Sequence, residues 1–200
     1  MIHTNKTLLV VTTLLMLLNV ANSNALTAED TVKEATQEVL TRVQTDRDKL
    51  ELQPEYIDII VMELIVPHFD FAMMSRLVLG KHWQTLNDLE RACFTVRFRN
   101  LLVGRYANIF LSHTKQQITY EPEKAIDGEG YVSVRQIISY PGIGPFYVDY
   151  PMRPEKDGWK VVDLLVDDIS LLKSYRETFK RDIQQQGLQN FLEGLQKCNQ

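Results

Sequence analysis

Four aspartates stand among apolar neighbours: Asp149 in Phe146-Tyr-Val-Asp-Tyr150, and Asp163, Asp167 and Asp168 in Val161-Val-Asp-Leu-Leu-Val-Asp-Asp168. A carboxylate inside an apolar cavity has its pKa raised by desolvation and can act as a general base. An isomerase or hydrolase with Asp149 or Asp163 as base is therefore the enzymatic reading. The simpler expectation pairs Asp149 or Asp163 across a sheet with Arg135 or Arg153. Asp167 and Asp168 fall where a strand gives way to a helix. His68, His82 and His113 have no second ligand type at metal spacing, and Asp70 is better used as a helix cap. The chain carries no G-x-S-x-G, phosphate loop or dinucleotide fingerprint. These residues point to binding rather than catalysis: no enzyme, no metal and no cofactor.

Helices, then strands, then helices must position these groups. Thr27 or Asp30 caps a helix through Val32, Ala35, Val39 and Val43. Pro54 suits the first turn of a second helix, which carries Tyr56 to Ile65 and ends at Pro67. Asp70 caps a third, FAMMSRLVL, and Gly80 stops it. Thr85 with Asp88 reads as a capping box opening the longest helix, Asn87 to His113. Leu89, Cys93 and Val96 lie on one line of it; Phe94, Phe98, Leu101, Leu102, Tyr106, Ile109 and Phe110 lie on another. An apolar arc that wide predicts deep burial or a cavity wall. From Gln117 the period is two, with strands at Ile118–Tyr120, Tyr131–Ile138, Phe146–Tyr150 and Trp159–Val166. Turn residues join them at Asp127-Gly128, Pro141 to Pro145 and Asp157-Gly158. The pattern predicts an antiparallel four-stranded meander with helices at both ends, an α+β domain.

Composition bounds the setting. Lys6 precedes an apolar run from Thr7 to Val20, and Ser23 and Ala25 follow at the spacing of a small-residue cleavage site. That is the layout of a secretory signal over residues 1–25, and the run is shorter than the ~20 residues of a membrane span. Residues 26–200 then form one exported domain. Without Lys6 the 22 basic side chains become 21 against 26 acidic ones, a net charge of −5. This composition excludes nucleic acid as a partner. Export permits a Cys93–Cys198 disulfide, but Cys93 within an apolar helical pattern predicts a buried free thiol.

The tail VVDLLVDDISLLKSYRETFKRDIQQQGLQNFLEGLQK, Val161 to Lys197, resembles the C-terminal signature of the MlaC (toluene-tolerance) family, soluble periplasmic carriers of phospholipid. Pro67 to Trp83, PHFDFAMMSRLVLGKHW, is similar to that family's proline, acidic-aromatic start and V-L-G-x-x-W pattern. Arg91 to Tyr106, RACFTVRFRNLLVGRY, is similar to its R-x-x-F-x-x-x-F-x-x-x-L-x-x-x-Y helix, and Trp159 to Ile169 to its last strand. The likeness runs from about residue 28 to 198 with the motifs in order. Asp168 stands where the family usually has Gly, and Lys173-Ser174 where an Asn is common.

The resemblance implies a curved sheet like the nuclear-transport-factor or ketosteroid-isomerase cone, covered by helices around an apolar cavity for acyl chains. It implies a shuttle of glycerophospholipid between an outer-membrane lipoprotein–porin complex and the MCE-type substrate-binding subunit of an inner-membrane ABC transporter, maintaining outer-membrane lipid asymmetry. Strand parity and the resemblance together predict the wall. Phe98, Leu102, Tyr106 and Ile109 come from the long helix; Phe146, Val148 and Tyr150 share one strand face, and Val132 and Val134 another. Ile169 and Leu172 stand beside the opening, and Leu79 and Trp83 close another side. A third reading, an interaction protein with a fully packed interior, predicts no bound lipid.

Overall fold

The computed structural model describes residues 26–111, 116–126, 129–156 and 158–195. The leader 1–25, His113, Asp127, Gly128, Asp157 and Cys198 lie outside them. Thr27 opens the first helix, α1 (Ala28–Thr45): its hydroxyl oxygen accepts the Asp30 N–H and the Asp30 carboxylate accepts that of Thr27. A short α2 (Arg47–Leu52), absent from the sequence expectation, precedes α3 (Tyr56–Leu64). Asp70 caps α4 (Phe71–Leu79) by accepting the Met73 N–H at 2.9 Å. Gly80 ends α4 at φ +55°, and the Arg176 guanidinium lies 3.3 Å from where a Cβ would stand there. The backbone conformation calls for glycine, and a Cβ would also push the Arg176 guanidinium aside.

The capping box of α5 (Asp88–Tyr106) lies two residues on from the expected one. Asn87 and Glu90 form it, and Thr85 instead donates its hydroxyl to the His82 carbonyl. The α-helix also stops early, giving way to a 3-10 turn at Ala107–Phe110.

Six strands stand among the described residues where four were expected. β1 (Gln117–Ala125), β2 (Val132–Tyr140) and β3 (Ile143–Glu155) form an antiparallel meander. β2 and β3 meet at a tight Pro141-Gly142 turn with Gly142 at φ +81°, so β3 begins three residues before Phe146. The expected last strand is divided into β4 (Gly158–Val161), which pairs with the C-terminal end of β3, and β5 (Leu165–Val166), which pairs with its middle at Val148 and Asp149. β6 (Ile169–Ser170) adds an edge before α6 (Leu171–Gln186) and α7 (Leu188–Gly194).

Three apolar clusters hold these layers. Phe94, Phe98, Phe179 and Phe191 centre a helical one built from α4 to α7, with rings 5.0 to 6.5 Å apart. A second joins α1, α2, α3 and the turn after α5. The third lies between α1 and the sheet, where Ala28 and Val32 meet Val134, Met152 and Val161. Cys93 is disulfide-bonded rather than a free thiol.

The ion pairs are also reassigned. Arg135 takes Asp149, donating from Nε and Nη2 at 2.7 Å each, as one of the expected pairings has it. Arg153 reaches neither Asp149 nor Asp163. It pairs with Asp70, its Nε donating at 2.8 Å, while the Asp70 N–H donates to the Val161 carbonyl at 2.9 Å. This joint ties the helical layer to the edge of the sheet. Asp163 has no arginine; it accepts the N–H groups of Leu164 and Leu172 and the Ser170 hydroxyl at 2.7, 3.1 and 2.6 Å. The β5–β6 hairpin is thereby closed at its base.

Two outcomes follow for stability. Asp70→Ala should lose about 2 kcal/mol in urea unfolding, through the lost cap and the lost Arg153 pairing, which leaves Arg153 only Glu155, whereas Asp70→Asn, which keeps the cap, should lose less. Burial holds the His68 imidazole below its ordinary pKa, with Lys160 adding to the effect against Glu38 and Glu34. The folded state therefore resists protonating it, so its contribution is full above the ordinary pKa and is lost as pH falls through the depressed one. His68→Gln should flatten the fall in urea midpoint between about pH 7 and about pH 5.

Candidate apolar binding face

Register places side chains in rows across the sheet. One row runs Tyr120, Gln136, Val148, Val166, Ile169, from β1 to β6. The row above it is Ile118, Ile138, Phe146; the rows below are Val134 with Tyr150, and Val132 with Met152 and Val161. All lie on one face by the two-residue period. Burial along that face is graded. Val134 and Met152 are fully buried under α1 and Gln136 is 2% exposed, yet Phe146, Val166 and Ile169 are 39, 47 and 68% exposed. One end is closed by the protein's own helix; the other presents apolar side chains with little cover.

The exposed corner is built by strained backbone. Asp167 and Asp168, at φ +47° and +63°, make the two-residue turn that sets Val166 opposite Ile169. Aspartate tolerates this left-handed region better than most residues, and here both carboxylates are used. Asp167 accepts the Tyr147 N–H at 3.1 Å, and Asp168 lies 3.2 Å from the Arg135 guanidinium. The departure from the expected glycine at 168 thus keeps the glycine conformation. Beside the turn an open depression of about 390 Å³ is lined by Ile169, Ser170, Lys173 and Ser174 with Asp168 and Glu177.

The expected wall residues divide into groups. Phe146, Val148 and Ile169 meet on the open part of the face, while Val132, Val134 and Tyr150 belong to its closed end. Leu79, Phe98, Leu102 and Leu172 are packed together in the helical cluster, with Trp83 against it. Tyr106 and Ile109 are exposed at the C-terminal end of α5. Burial and a hydrogen bond with Tyr106 push the Tyr175 phenol up to about 12. The wide apolar arc of α5 is only partly buried. Its stripe of Phe94, Phe98, Leu102 and Val103 is covered, but Leu89 is 73% exposed and Val96 is open to solvent. The covered stripe of α5 packs on helices, with Phe94 and Phe98 against Phe179 of α6 and Phe94 against Phe191 of α7, and not on a strand.

Parity from Val132 and Val134 already reaches Gln136 and Ile138, which the sequence reading left out. Val166 and Ile118 depend on register, which a sequence without a known turn does not specify. The Asp149 carboxylate lies on the opposite face with Arg135, and Asp163 is held by three hydrogen bonds. Neither is placed as a base over the apolar face. Among the described residues no group of three His, Cys, Asp or Glu side chains is arranged to hold a metal, and no helix is long and apolar enough to cross a membrane.

Known proteins share this sequence and fold. The chain is 23% identical over 169 residues to the intermembrane phospholipid transport system binding protein MlaC of Haemophilus influenzae, spanning 83% of this chain and 79% of that one. It is 26% identical over 164 residues to the toluene tolerance protein ttg2D of Pseudomonas putida, spanning 82% and 76%. A phospholipid-binding protein of Ralstonia solanacearum, solved in complex with a phospholipid, superposes with a TM-score of 0.75 at 26% identity, over 85% of this chain and 97% of that one. The profile of the MlaC protein family matches residues 33–197. The chain belongs to the MlaC family.

Proposed function

We propose that this protein is a phospholipid carrier in intermembrane lipid transport, with acyl chains lying on the open part of the sheet's inner face. The observation that carries the reading is the graded exposure of one apolar face, closed under α1 and bare at Phe146, Val166 and Ile169. Each buried methylene is worth ~0.8 kcal/mol, so one chain of about sixteen carbons resists leaving a bilayer by roughly 12 kcal/mol. A soluble carrier must offer apolar surface of its own to lower that barrier. Ile118, Ile138, Phe146, Val148, Val166 and Ile169 supply it, and Tyr106 and Ile109, exposed at the end of α5, are further candidates. Leu79, Trp83, Phe98, Leu102 and Leu172 back the helical side, and Val132, Val134 and Tyr150 the closed end.

Residues 1–25 act as a cleaved leader in this account, and residues 26–200 work in the periplasm as one domain. The MCE-type subunit of an inner-membrane ABC transporter and an outer-membrane lipoprotein–porin complex are the partners it meets there. The chain catalyses nothing; the ATPase of the transporter supplies the energy. Asp149, paired with Arg135 on the opposite face, and Asp163, engaged by three hydrogen bonds, favour this reading over an isomerase or hydrolase.

Ile169→Glu puts a charge on the opening, where an acyl chain would leave it unpaired. Extraction of a fluorescent phospholipid from vesicles should fall by more than about tenfold, with the circular dichroism spectrum unchanged. Phe146→Asp should do the same. Leu89→Glu, exposed at the far end of α5, should extract lipid like the wild type. Equal extraction by all three variants would remove the open face from the site.

A further inference from the structure

A polar bar crosses the inner face where it changes from open to closed. Gln136 is the one amide in a stripe otherwise read as Val132, Val134 and Ile138, and it is almost wholly buried. Its Nε2 donates to the Tyr120 hydroxyl at 3.1 Å and to the Thr36 hydroxyl at 3.3 Å, and its Oε1 accepts the Tyr150 hydroxyl at 2.8 Å. Three of the four hydrogen bonds an amide can make are filled, by residues of β1, β3 and α1. Below the bar, Val134, Met152 and Val161 are packed against Ala28 and Val32. Above it, Ile138 and Phe146 lie toward the open end.

We propose that the Tyr120–Gln136–Tyr150 bar is the floor of the lipid site and sets the acyl-chain length this carrier prefers. The inference rests on the carrier reading given above. A methylene chain advancing down the face gains burial with each carbon and breaks no polar contact until it reaches the amide. To pass, it must separate the amide from its three partners and leave buried polar groups unpaired, against little further gain because the space beyond is filled. The bar is satisfied by the protein itself, so it repels hydrocarbon without recruiting a head group. Selection by chain length then comes from a polar stop, whereas an apolar floor would yield by repacking.

The test uses the mature protein and vesicles containing phosphatidylcholines of graded acyl length in equal amounts, with the extracted lipids identified by mass spectrometry. The wild type should show a preferred length. Gln136→Ala should move that preference to longer chains, raising uptake of the lengths just above it about tenfold relative to the wild type. Gln136→Asn, which keeps an amide but draws it back, should move it less in the same direction and guards against a misfolded alanine variant. A Gln136→Asn protein that is less stable yet keeps the wild-type length profile would make the bar a structural staple and overturn the proposal alone. A wild type that takes up all lengths equally would overturn it too. Uptake of no lipid by the wild type would overturn the carrier reading and the floor together.

Discussion

Ala28 and Val32 of α1 pack on Val134, Met152 and Val161 and close one end of the sheet's inner face, and this contact decides what the other end can do. Apolar surface left in water is unfavourable by roughly 25 cal/mol for each Å². A chain that leaves Phe146, Val166 and Ile169 open must therefore draw its stability from elsewhere. It does so by separating its core. The phenylalanine cluster of α4 to α7 and the cluster around Ile57 and Ile60 are buried and packed without help from the open face. Emptying or filling that face need not disturb them.

The joints between layers explain motifs that periodicity alone leaves unexplained. Pro67 to Asp70 carries the chain from the helices to the sheet edge: Phe69 bridges Val161, the Pro67 carbonyl accepts from Lys160, and Asp70 holds Arg153. Gly80 admits the Arg176 guanidinium, so α6 packs close to the end of α4. Arg91 donates to the Trp83 carbonyl at 3.2 Å and lies 5.6 Å from its ring, fixing the turn that leads into α5. These residues hold a frame; the lipid-facing surface is assigned to others.

Much of this was legible in the sequence. Caps at Thr27 and Asp70, the stop at Gly80 and the switch from a period near four to a period of two are local signals, and the α+β class follows from their order. The division of the last strand was not legible, because Val162-Asp163-Leu164 alternates as a strand does and leaves the ladder only when β5 finds β3. The capping box moved by two residues since Asn87 and Glu90 satisfy the same rule as Thr85 and Asp88. For the site, residue type marked apolar positions without saying which are covered. Leu102 and Ile109 look alike in sequence, but one is buried in the helical cluster and the other faces out. Gln136 drew no notice because its meaning lies in Tyr120, Tyr150 and Thr36, brought together by register and by α1.

The central claim is that the open face holds lipid in the protein's working state. Native and denaturing mass spectrometry of the mature protein, purified from a bacterial periplasm without detergent, tests it directly. The account predicts a stoichiometric glycerophospholipid that stays bound in the native spectrum and is released only on denaturation. A clean protein mass in both spectra, with no uptake when the same sample is offered phospholipid vesicles, would contradict it.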